Sequence, residues 1–446
     1  MNHSPLANPS PGLVSEKAAG GRLVLLLTLA ASVGYMCRVN ITVVAPRLMA
    51  ELNLSQLEMG KVFSAFLLGY TLFQVPSGWL AGRVPTRRLF CALAFGWAAI
   101  TCAHGLVGKT DFGLALGALP VLLGLRFVLG ILASPTYPAA ARAISLSLPP
   151  ERQGSANGTV LASIGLGSAV TPPLLGFVTL HWGWRAALLV AALLAVLVAT
   201  FWWRLAPLPQ VSSIARPPSR EAAAATCKSP LSLRSFWFLT ASYTLQGYVG
   251  YVFVFWFFLY LVQVRHFAFL RAAWLTTLPW IASLIVIPFG GVVSDWAVKR
   301  WGSTWGRRSL PLPAMALAAG ALLLGARSSS AWLAALSLTA ATALVLATEG
   351  PYWASMTQLS GPHSGIGGGV MNFGSNLGGL ISPVLTPWLA ARLGWETALT
   401  LAAILAVVGA ILWMGVTIDP SATSGGGARN RMVGLAPSGN ASVLSR

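Results

Sequence analysis

The chain has 446 residues, of which 56% are hydrophobic and 9% are charged, and its mean hydropathy is +0.72. Soluble domains contain about 25% charged residues, so this composition is that of a polytopic membrane protein. The hydrophobic residues come in blocks of about 20, the length that a helix needs to cross roughly 30 Å of hydrocarbon. They do not form alternating strands of about ten residues, and an outer-membrane barrel is therefore excluded.

The formal net charge of +19 would suggest a nucleic-acid partner in a soluble protein. Here the Lys and Arg residues fall mainly between the hydrophobic blocks, without a basic cluster that is interleaved with exposed aromatics. We therefore interpret the charge as a topology signal and predict no nucleic-acid binding. The four cysteines have neither a CxxC pattern nor metal-ligand spacing, so no disulfide, metal site or cofactor is predicted.

Blocks that are bounded by charged residues, Pro or Gly predict twelve membrane spans. In chain order they cover about 23–46, 60–82, 87–107, 114–139, 155–180, 186–207, 236–262, 272–298, 309–327, 331–358, 365–391 and 396–418. Twelve spans place both termini on one side, and the loops of that side hold most of the Lys and Arg residues. Cytoplasmic loops are enriched in these residues, so both termini are predicted to be cytoplasmic.

The longest polar interruption, 208–233, divides six spans from six. The segment that begins at Gly78 after span 2 resembles the segment that begins at Gly291 after span 8, and basic residues follow both. We therefore predict an all-α membrane protein of two parallel six-helix halves, with a substrate site between them midway through the membrane. The predicted parts are a cytoplasmic tail (1–22), the N-terminal half (23–207), a cytoplasmic linker (208–233), the C-terminal half (234–418) and a Gly/Ser-rich, disordered cytoplasmic tail (419–446).

The chain carries no residue pattern that is typical of an enzyme. It has ten acidic residues and five histidines, and the HExxH, GxSxG and Walker-type patterns are missing. We therefore predict neither an enzyme nor a self-contained nucleotide-driven pump. The functional candidates are ionisable residues inside the spans, where each costs a few kcal/mol on insertion scales.

Two arginines lie deep inside predicted spans, Arg38 in span 1 and Arg126 in span 4. Arginine keeps its charge when it is buried, and its planar fork suits carboxylate or phosphate groups. Two such residues in the same half favour an anionic substrate. The alternative is that either one is a structural donor to backbone carbonyls or to an acidic partner.

Glu349 in span 10 is the acid that we place deep in the membrane. A carboxyl in that position could change its protonation state during a transport cycle. The alternative is a fixed salt bridge to Arg38 or Arg126, and burial alone does not distinguish the two.

Polar and aromatic residues at helical spacing could line the same cavity, although most residues of this kind pack helices together. They are Tyr70, Gln74, Tyr137, Ser163, Gln246, Tyr251, Trp256, Trp353, Thr357, Asn372 and Asn376. The Gly-rich runs near residues 367–379 suit close helix approach and bending. We assign no role to the histidines near span ends and in loops, His104 among them.

The loop between spans 2 and 3 follows the signature G-x-L-x-D-R-x-G-R-R/K, as Gly78-Trp-Leu-Ala-Gly82-Arg83-Val-Pro85-Thr-Arg87-Arg88. At these residues the chain resembles the major facilitator superfamily over nearly its whole length. The resemblance implies a gating motif of Gly78, Arg83 and Arg87, with Gly291 and Asp295 in the second copy. Gly82 stands where the family usually has Asp and Pro85 where it usually has Gly, whereas Asp295 keeps the acid.

Within the superfamily the chain resembles the anion:cation symporter branch, which includes bacterial galactonate and hexuronate transporters, vesicular glutamate transporters and sialin. The resemblance rests on Tyr35-x-x-Arg38-x-Asn40, on Met59–Phe66 with Tyr70 and Gln74, on Arg126-x-x-x-Gly130 with Tyr137-Pro138 and Pro149–Arg152, and on Gly367–Gly379. In that branch the residues matching Arg38 and Arg126 are implicated in binding or coupling to an anionic substrate. Those matching Tyr70, Trp353 and Asn372 line the site.

Three positions depart from the branch. Cys37 stands where bacterial members have Asp, and Ala133 stands where they have the span 4 acid. Ser163 occupies the position of a Gln found in sugar-acid transporters. Either Glu349 has taken over proton coupling, or the protein is a uniporter or exchanger without it.

The sequence therefore predicts an alternating-access secondary transporter for a small organic anion, with sugar acids or related carboxylates as the leading class. Multidrug or cation efflux is the first rival, which two buried arginines against one buried acid disfavour. A receptor is disfavoured by the short extramembrane segments. The large excess of Arg over Lys suits a GC-rich genome, so the predicted location is a bacterial inner membrane, with the protein as a monomer.

Overall fold

The computed structural model describes residues 11–108, 117–148, 150–206 and 229–418, which form helices joined by short turns. The helices are α1 (Pro11–Leu52), α2 (Gln56–Leu72), α3 (Gln74–Arg83), α4 (Thr86–Leu106), α5 (Ala118–Ala133), α6 (Thr136–Ser147), α7 (Pro150–Leu161), α8 (Ser163–Trp182), α9 (Trp184–Leu205), α10 (Arg234–Gln263), α11 (Phe269–Arg308), α12 (Pro311–Arg327), α13 (Ala331–Ala347), α14 (Glu349–Ser360) and α15 (Ser364–Leu412). No strand occurs in these ranges.

The described helices fit the twelve predicted membrane spans. Within the described ranges, nine stretches are long and apolar enough to cross a bilayer. The last of them is two spans, because Gly394 has a left-handed backbone (φ 86°, ψ 159°) that breaks α15. The pair α2 and α3 and the shorter apolar α12 complete the set. Spans 1 to 12 are thus α1, α2 with α3, α4, α5 with α6, α7 with α8, α9, α10, α11, α12, α13 with α14, and the two parts of α15.

The first helix is longer than a membrane is thick. Its 42 residues extend about 63 Å at 1.5 Å per residue, against roughly 30 Å of hydrocarbon. It begins at Pro11, inside the segment that the sequence predicts as a tail. We call the side on which it begins the basic face, because the Lys- and Arg-rich loops lie there, and the other side the opposite face. Residues 1–10, the 208–228 part of the predicted linker and the tail 419–446 lie outside the described ranges.

Span 2 begins on the opposite face with a capping box. Ser55 caps the helix, and its backbone N–H and hydroxyl both donate to Glu58 Oε2 at 2.8 Å. Glu58 lies in the first turn of the helix, before the hydrophobic block that starts at about residue 60. This acid is therefore a capping residue and no candidate for a buried proton site.

Spans 2, 4, 5 and 10 are interrupted near their middle, and the interruption of span 4 matches that of span 10. Span 4 breaks where Pro135 lacks a backbone N–H, and span 10 breaks at Thr348, 213 residues later. Hydroxyls next to the breaks bond the freed carbonyls: Ser134 Oγ donates to Ile131 at 2.8 Å, and Thr348 Oγ1 donates to Val345 at 2.6 Å. Such internal bonding lets a broken helix remain within the membrane.

Glycines bring helices of the same half into backbone contact. A Cβ at Gly69 would overlap the Phe127 carbonyl oxygen, and a Cβ at Gly130 would overlap the Phe66 carbonyl oxygen. Spans 2 and 4 therefore interlock reciprocally. Spans 7 and 11 do the same through Gly247 and Gly378. These contacts hold span 4, and with it Arg126, against span 2.

The two halves meet on the opposite face. Gln56 Nε2 donates to Gln263 Oε1 at 2.8 Å, and Ser64 Oγ donates to the Leu380 carbonyl at 2.7 Å. The rings of Phe63 in span 2 and Phe255 in span 7 stack, with 4.9 Å between their centroids. Toward the basic face, by contrast, a Cβ at Gly78 would meet open space.

Candidate functional site

Arg38 lies midway along span 1, between the halves. It is 8% exposed, and its Nη2 donates to the hydroxyl of Tyr251 in span 7 at 2.8 Å. The phenol oxygen of Tyr251 in turn donates to Asn376 Oδ1 at 3.1 Å. The Arg38 side chain is therefore oriented by the C-terminal half although it belongs to the N-terminal half.

Four aromatic rings surround the Arg38 guanidinium. The distances from its Cζ atom to the ring centroids are 5.1 Å for Tyr35 and Phe66, 5.3 Å for Tyr70 and 5.6 Å for Tyr251. Ring faces attract a cation and exclude water without neutralising it. The cage leaves Arg38 Nε buried and without a hydrogen-bond partner.

Arg126 in span 4 is fully buried beside Arg38. Its Nη2 donates to the backbone carbonyl of Arg38 at 2.7 Å, and its guanidinium lies 5.0 Å from the Phe66 ring. Its Nε and Nη1 have no partner. The three salt bridges between described residues join Arg185 with Glu51, Arg307 with Asp295 and Arg327 with Glu396, and none includes Arg38 or Arg126.

This arrangement is electrostatically incomplete. A buried cation that has no paired anion costs several kcal/mol, and an unbonded buried N–H costs about 1–3 kcal/mol. Two neighbouring guanidinium groups that share no carboxylate therefore form a site that an incoming anion would stabilise. Three nitrogens without a hydrogen-bond partner, Arg38 Nε and Arg126 Nε and Nη1, can donate to it.

Amide groups connect the two halves next to the arginines. Asn372 Nδ2 of span 11 donates to Gln74 Oε1 of span 2 at 3.1 Å, and Asn376 Nδ2 donates to the Asn372 carbonyl at 2.9 Å. The predicted site residues Gln74 and Asn372 thus meet directly. Tyr70 belongs to the cage, and Ser163 is fully buried with an unbonded hydroxyl.

Glu349 begins α14, directly after the break in span 10. Its two carboxylate oxygens accept from the Tyr243 hydroxyl at 2.9 Å and from Gln246 Nε2 at 2.8 Å, both in span 7. It forms no salt bridge with Arg38 or Arg126, so the fixed ion pair of the alternative hypothesis is not made in this conformation. Trp353, one turn further, is 39% exposed, and its ring meets the edge of Tyr243 at 6.4 Å.

The two copies of the gating motif differ in their contacts. In the second copy Asp295 pairs with Arg307 at 2.6 Å, and spans 8 and 10 approach closely where Gly291 faces Gly350. In the first copy the Arg83 guanidinium stacks 3.7 Å from the Trp79 ring. Arg87 donates to the Trp203 carbonyl. Gly82 stands at the position of the usual Asp, so the first copy lacks the carboxylate at that position.

Some site residues carry no role in the sequence prediction. Phe66 and Tyr35 appear there only as motif positions, yet both contact the Arg38 guanidinium. The sequence prediction does not include Tyr243, because a tyrosine in an aromatic-rich span is typical of helix packing. His104, given no role near a span end, is in fact buried, and its Nδ1 bonds the Ile100 carbonyl at 2.7 Å while its Nε2 has no partner.

One signal could have located Tyr251. Arg38 and Tyr251 are 213 residues apart, the offset that separates Gly78 from Gly291. They are therefore equivalent positions of the two halves. The two side chains meet at the axis that relates the repeats. The repeat register, applied to Arg38, identifies its partner.

Comparison with known proteins agrees with this architecture. Residues 27–366 match the family model described as Major Facilitator Superfamily. The chain is 29% identical to a probable sulfoacetate transporter of Cupriavidus necator, covering 81% of this chain and 85% of the relative. It is 27% identical to the D-galactonate transporter of Escherichia coli, covering 85% and 91%.

A solved structure shares the fold. A bacterial homolog to the human lysosomal transporter Spinster, in an inward-facing and unoccupied conformation, superposes with a TM-score of 0.75 at 17% identity. The match covers 90% of this chain and 97% of that one. At this identity the likeness concerns the fold alone.

Proposed function

Because the chain belongs to the major facilitator superfamily, we propose that its central site carries a small organic anion across the membrane by alternating access. The protein is a multi-pass membrane transporter and not an enzyme. Arg38 and Arg126 bind the acidic group of the substrate. Tyr70, Gln74, Asn372, Trp353 and Ser163 shape the remainder of the pocket.

The observation that carries this proposal is the pair of buried arginines without an acidic partner. Arg126 keeps two nitrogens without a hydrogen-bond partner, and Arg38 keeps one. A carboxylate or sulfonate supplies both the missing negative charge and the missing acceptors. A cationic drug supplies neither, so the site disfavours the efflux alternative.

The substrate class follows from the site and from the relatives together. Galactonate, named for one relative, carries one carboxylate, and sulfoacetate, named for another, carries a sulfonate and a carboxylate, so both present an anionic group to the arginines. The amides of Gln74 and Asn372 and the hydroxyls of Tyr70 and Ser163 could bond hydroxyl groups of a substrate. We therefore propose a sugar acid or a related short carboxylate or sulfonate.

A thermal-shift screen of the purified protein tests the anion site. We expect galactonate, glucarate, hexuronates or sulfoacetate to raise the melting temperature, because a ligand that binds only the folded state stabilises it. The same anions should leave the melting temperature of Arg126→Ala unchanged, and that variant should fold without transporting.

The control is Arg204→Gln, which removes an exposed arginine at the end of α9. This variant should respond to anions as the wild type does. Normal uptake by Arg126→Ala, or stabilisation by cationic compounds alone, would show that the two arginines do not bind the substrate.

We further propose that Glu349 is the proton-binding residue of the transport cycle. Both of its oxygens accept hydrogen bonds from neutral groups, and it is held by no cation. A carboxyl of this kind can exchange a proton without first breaking an ion pair. Its position at the start of α14 connects it to the break in span 10.

Glu349→Gln should uncouple transport from pH. We expect uptake that is driven by a pH gradient to fall to background, while exchange of labelled for unlabelled substrate continues at equal pH. Tyr243→Phe serves as a matched control, because it removes one hydrogen bond and keeps the carboxyl. If uptake by the wild type does not change with a pH gradient, the protein is instead a uniporter or exchanger.

The proposed orientation has both termini in the cytoplasm of a bacterial inner membrane, with the protein acting as a monomer. The excess of basic loops on the side where α1 begins supports this orientation. The central site lies within one chain, between the two halves. A C-terminal reporter that is active only in the periplasm should be inactive, and activity would reverse the orientation.

A further inference from the structure

We propose that the pocket between the basic-face end of span 8 and the start of span 9 binds the headgroup of an anionic phospholipid. Its volume is about 520 Å³, and it is lined by Trp301, Trp305, Arg308, Ser309, Leu312 and Pro313. It is separate from the central site, so the proposal does not depend on the transported substrate.

The pocket lies at a sharp turn of the chain. Gly302 adopts a left-handed backbone (φ 77°, ψ 168°), and the chain after it folds back. Gly306 packs so closely that a Cβ there would overlap the backbone of Val298. Thr304 Oγ1 donates to the Ile418 carbonyl at 3.0 Å, which fixes the turn to the end of the last span.

Arg308 forms the polar end of this pocket. Its Nε donates to the Val416 carbonyl at 2.9 Å and its Nη2 donates to the Met414 carbonyl at 2.7 Å. Its guanidinium lies 5.2 Å from the Trp305 ring. These bonds use one edge of the guanidinium and leave Nη1 available at the pocket.

The surrounding charge is positive. Lys299 and Arg300 are exposed just before the turn, whereas Arg307 is already paired with Asp295. Arg308 lines the pocket, and Lys299 and Arg300, which lie next to Trp301 in the chain, add positive charge beside it. Basic pockets between spans on the cytoplasmic side are typical sites for anionic headgroups.

The aromatic residues indicate a lipid rather than a soluble anion. Trp296, Trp301 and Trp305 are 58%, 53% and 64% exposed within ten residues of chain. Tryptophan is enriched at the level of the headgroups, where its ring contacts acyl chains and its N–H group stays in the polar headgroup layer. A phosphate on Arg308 with glycerol and acyl carbons along Trp301, Leu312 and Pro313 uses both parts of the lining.

Native mass spectrometry of the detergent-purified protein tests the site with phosphatidylglycerol as the probe. We expect phosphatidylglycerol to remain bound at detergent levels that remove phosphatidylcholine. Trp301→Leu/Trp305→Leu and Lys299→Gln/Arg300→Gln should each weaken binding at least tenfold. Neither double variant touches the carbonyl bonds of Arg308, so folding is preserved and melting temperature checks it.

Two matched variants complete the experiment. Arg204→Gln and Trp332→Leu remove an exposed arginine and an exposed tryptophan outside the pocket, and both should bind phosphatidylglycerol like the wild type. Equal binding by wild type and both double variants would overturn the proposal. So would equal retention of phosphatidylcholine, or stabilisation by inorganic phosphate that equals that by the lipid.

Discussion

Arg38 and Tyr251 occupy equivalent positions of the two halves and bond to each other at 2.8 Å. Their hydrogen bond therefore crosses the axis that relates the repeats. The position in the N-terminal half carries the cation, and the position in the C-terminal half carries the hydroxyl that orients it. The two arginines of the proposed anion site belong to the N-terminal half, while Glu349 and its neutral partners belong to the C-terminal half.

Replacing Arg126 should separate function from stability. Arg126→Leu removes a buried charge with two unbonded nitrogens and loses one hydrogen bond to the Arg38 carbonyl. We expect the free energy of unfolding of the empty protein to stay equal or rise by about 1–3 kcal/mol. Transport should be lost.

The measurement is the melting temperature of the substrate-free protein beside its uptake rate. Leu193→Ala, a lipid-facing change on α9 whose residue is 57% exposed, provides a reference for a neutral substitution. A large loss of stability in Arg126→Leu would identify Arg126 as a structural donor.

The residue types of the candidate site were accessible from the sequence, whereas their partners were not, apart from the Arg38–Tyr251 pair that the repeat offset gives. A mid-span Arg is conspicuous because burial of its charge is costly. The Asn372 to Gln74 bond joins residues 298 positions apart. No local pattern encodes such a pair, since it depends on how span 11 is rotated against span 2.

At the scale of helices, several arginines stabilise helix ends. Arg185 donates to the carbonyls of Gly105 and Val107 at the end of α4. Arg265 donates to those of Gly325 and Ser328 at the end of α12. Helix C-termini carry unbonded carbonyls and partial negative charge, which cations offset. Basic residues on the opposite face thus have local structural roles.

The glycine contact between spans 2 and 4 should be sensitive to one methyl group. Gly130→Ala places a Cβ against the Phe66 carbonyl, so span 4 must move. We expect a loss of about 1–3 kcal/mol in the free energy of unfolding. Anion binding should weaken at least tenfold, because Arg126 lies one turn earlier on the same face.

Gly124→Ala on the same helix is the matched control. A Cβ at Gly124 meets no atom within 4 Å, so this variant should be neutral or more stable by about 0.5–1 kcal/mol. The checks are detergent unfolding and anion-induced thermal shift. Equal effects of the two substitutions would contradict the interlocked packing.

At the scale of the molecule, hydrophobic block length and the repeat were sufficient to predict the architecture. The predicted spans agree with the helices within several residues in most cases. The differences have physical causes. The helix α1 extends beyond the bilayer. Span 4 ends later than predicted, at Ser147, and span 5 begins earlier, at Pro150, because each consists of two helices joined at a break. Composition does not show which face is closed, since both conformations of a transporter share one sequence.

Closure of the opposite face gives a test of alternating access. Gln56 of span 2 and Gln263 of span 7 bond across the halves at 2.8 Å near the membrane surface. For a substrate to enter from that side, these spans must separate. Gln56→Cys/Gln263→Cys treated with a short reducible bis-methanethiosulfonate should therefore lose at least nine-tenths of its uptake, and a reductant should restore it.

The single variants and the wild type, treated in the same way, account for modification of the native cysteines. Cys37 and Cys91 are buried, so we expect little effect of the reagent on them. Binding of the anion from the basic face should survive the cross-link, because Gly78 and Trp353 remain open there. A cross-linked protein with full uptake would mean that the halves do not part between spans 2 and 7.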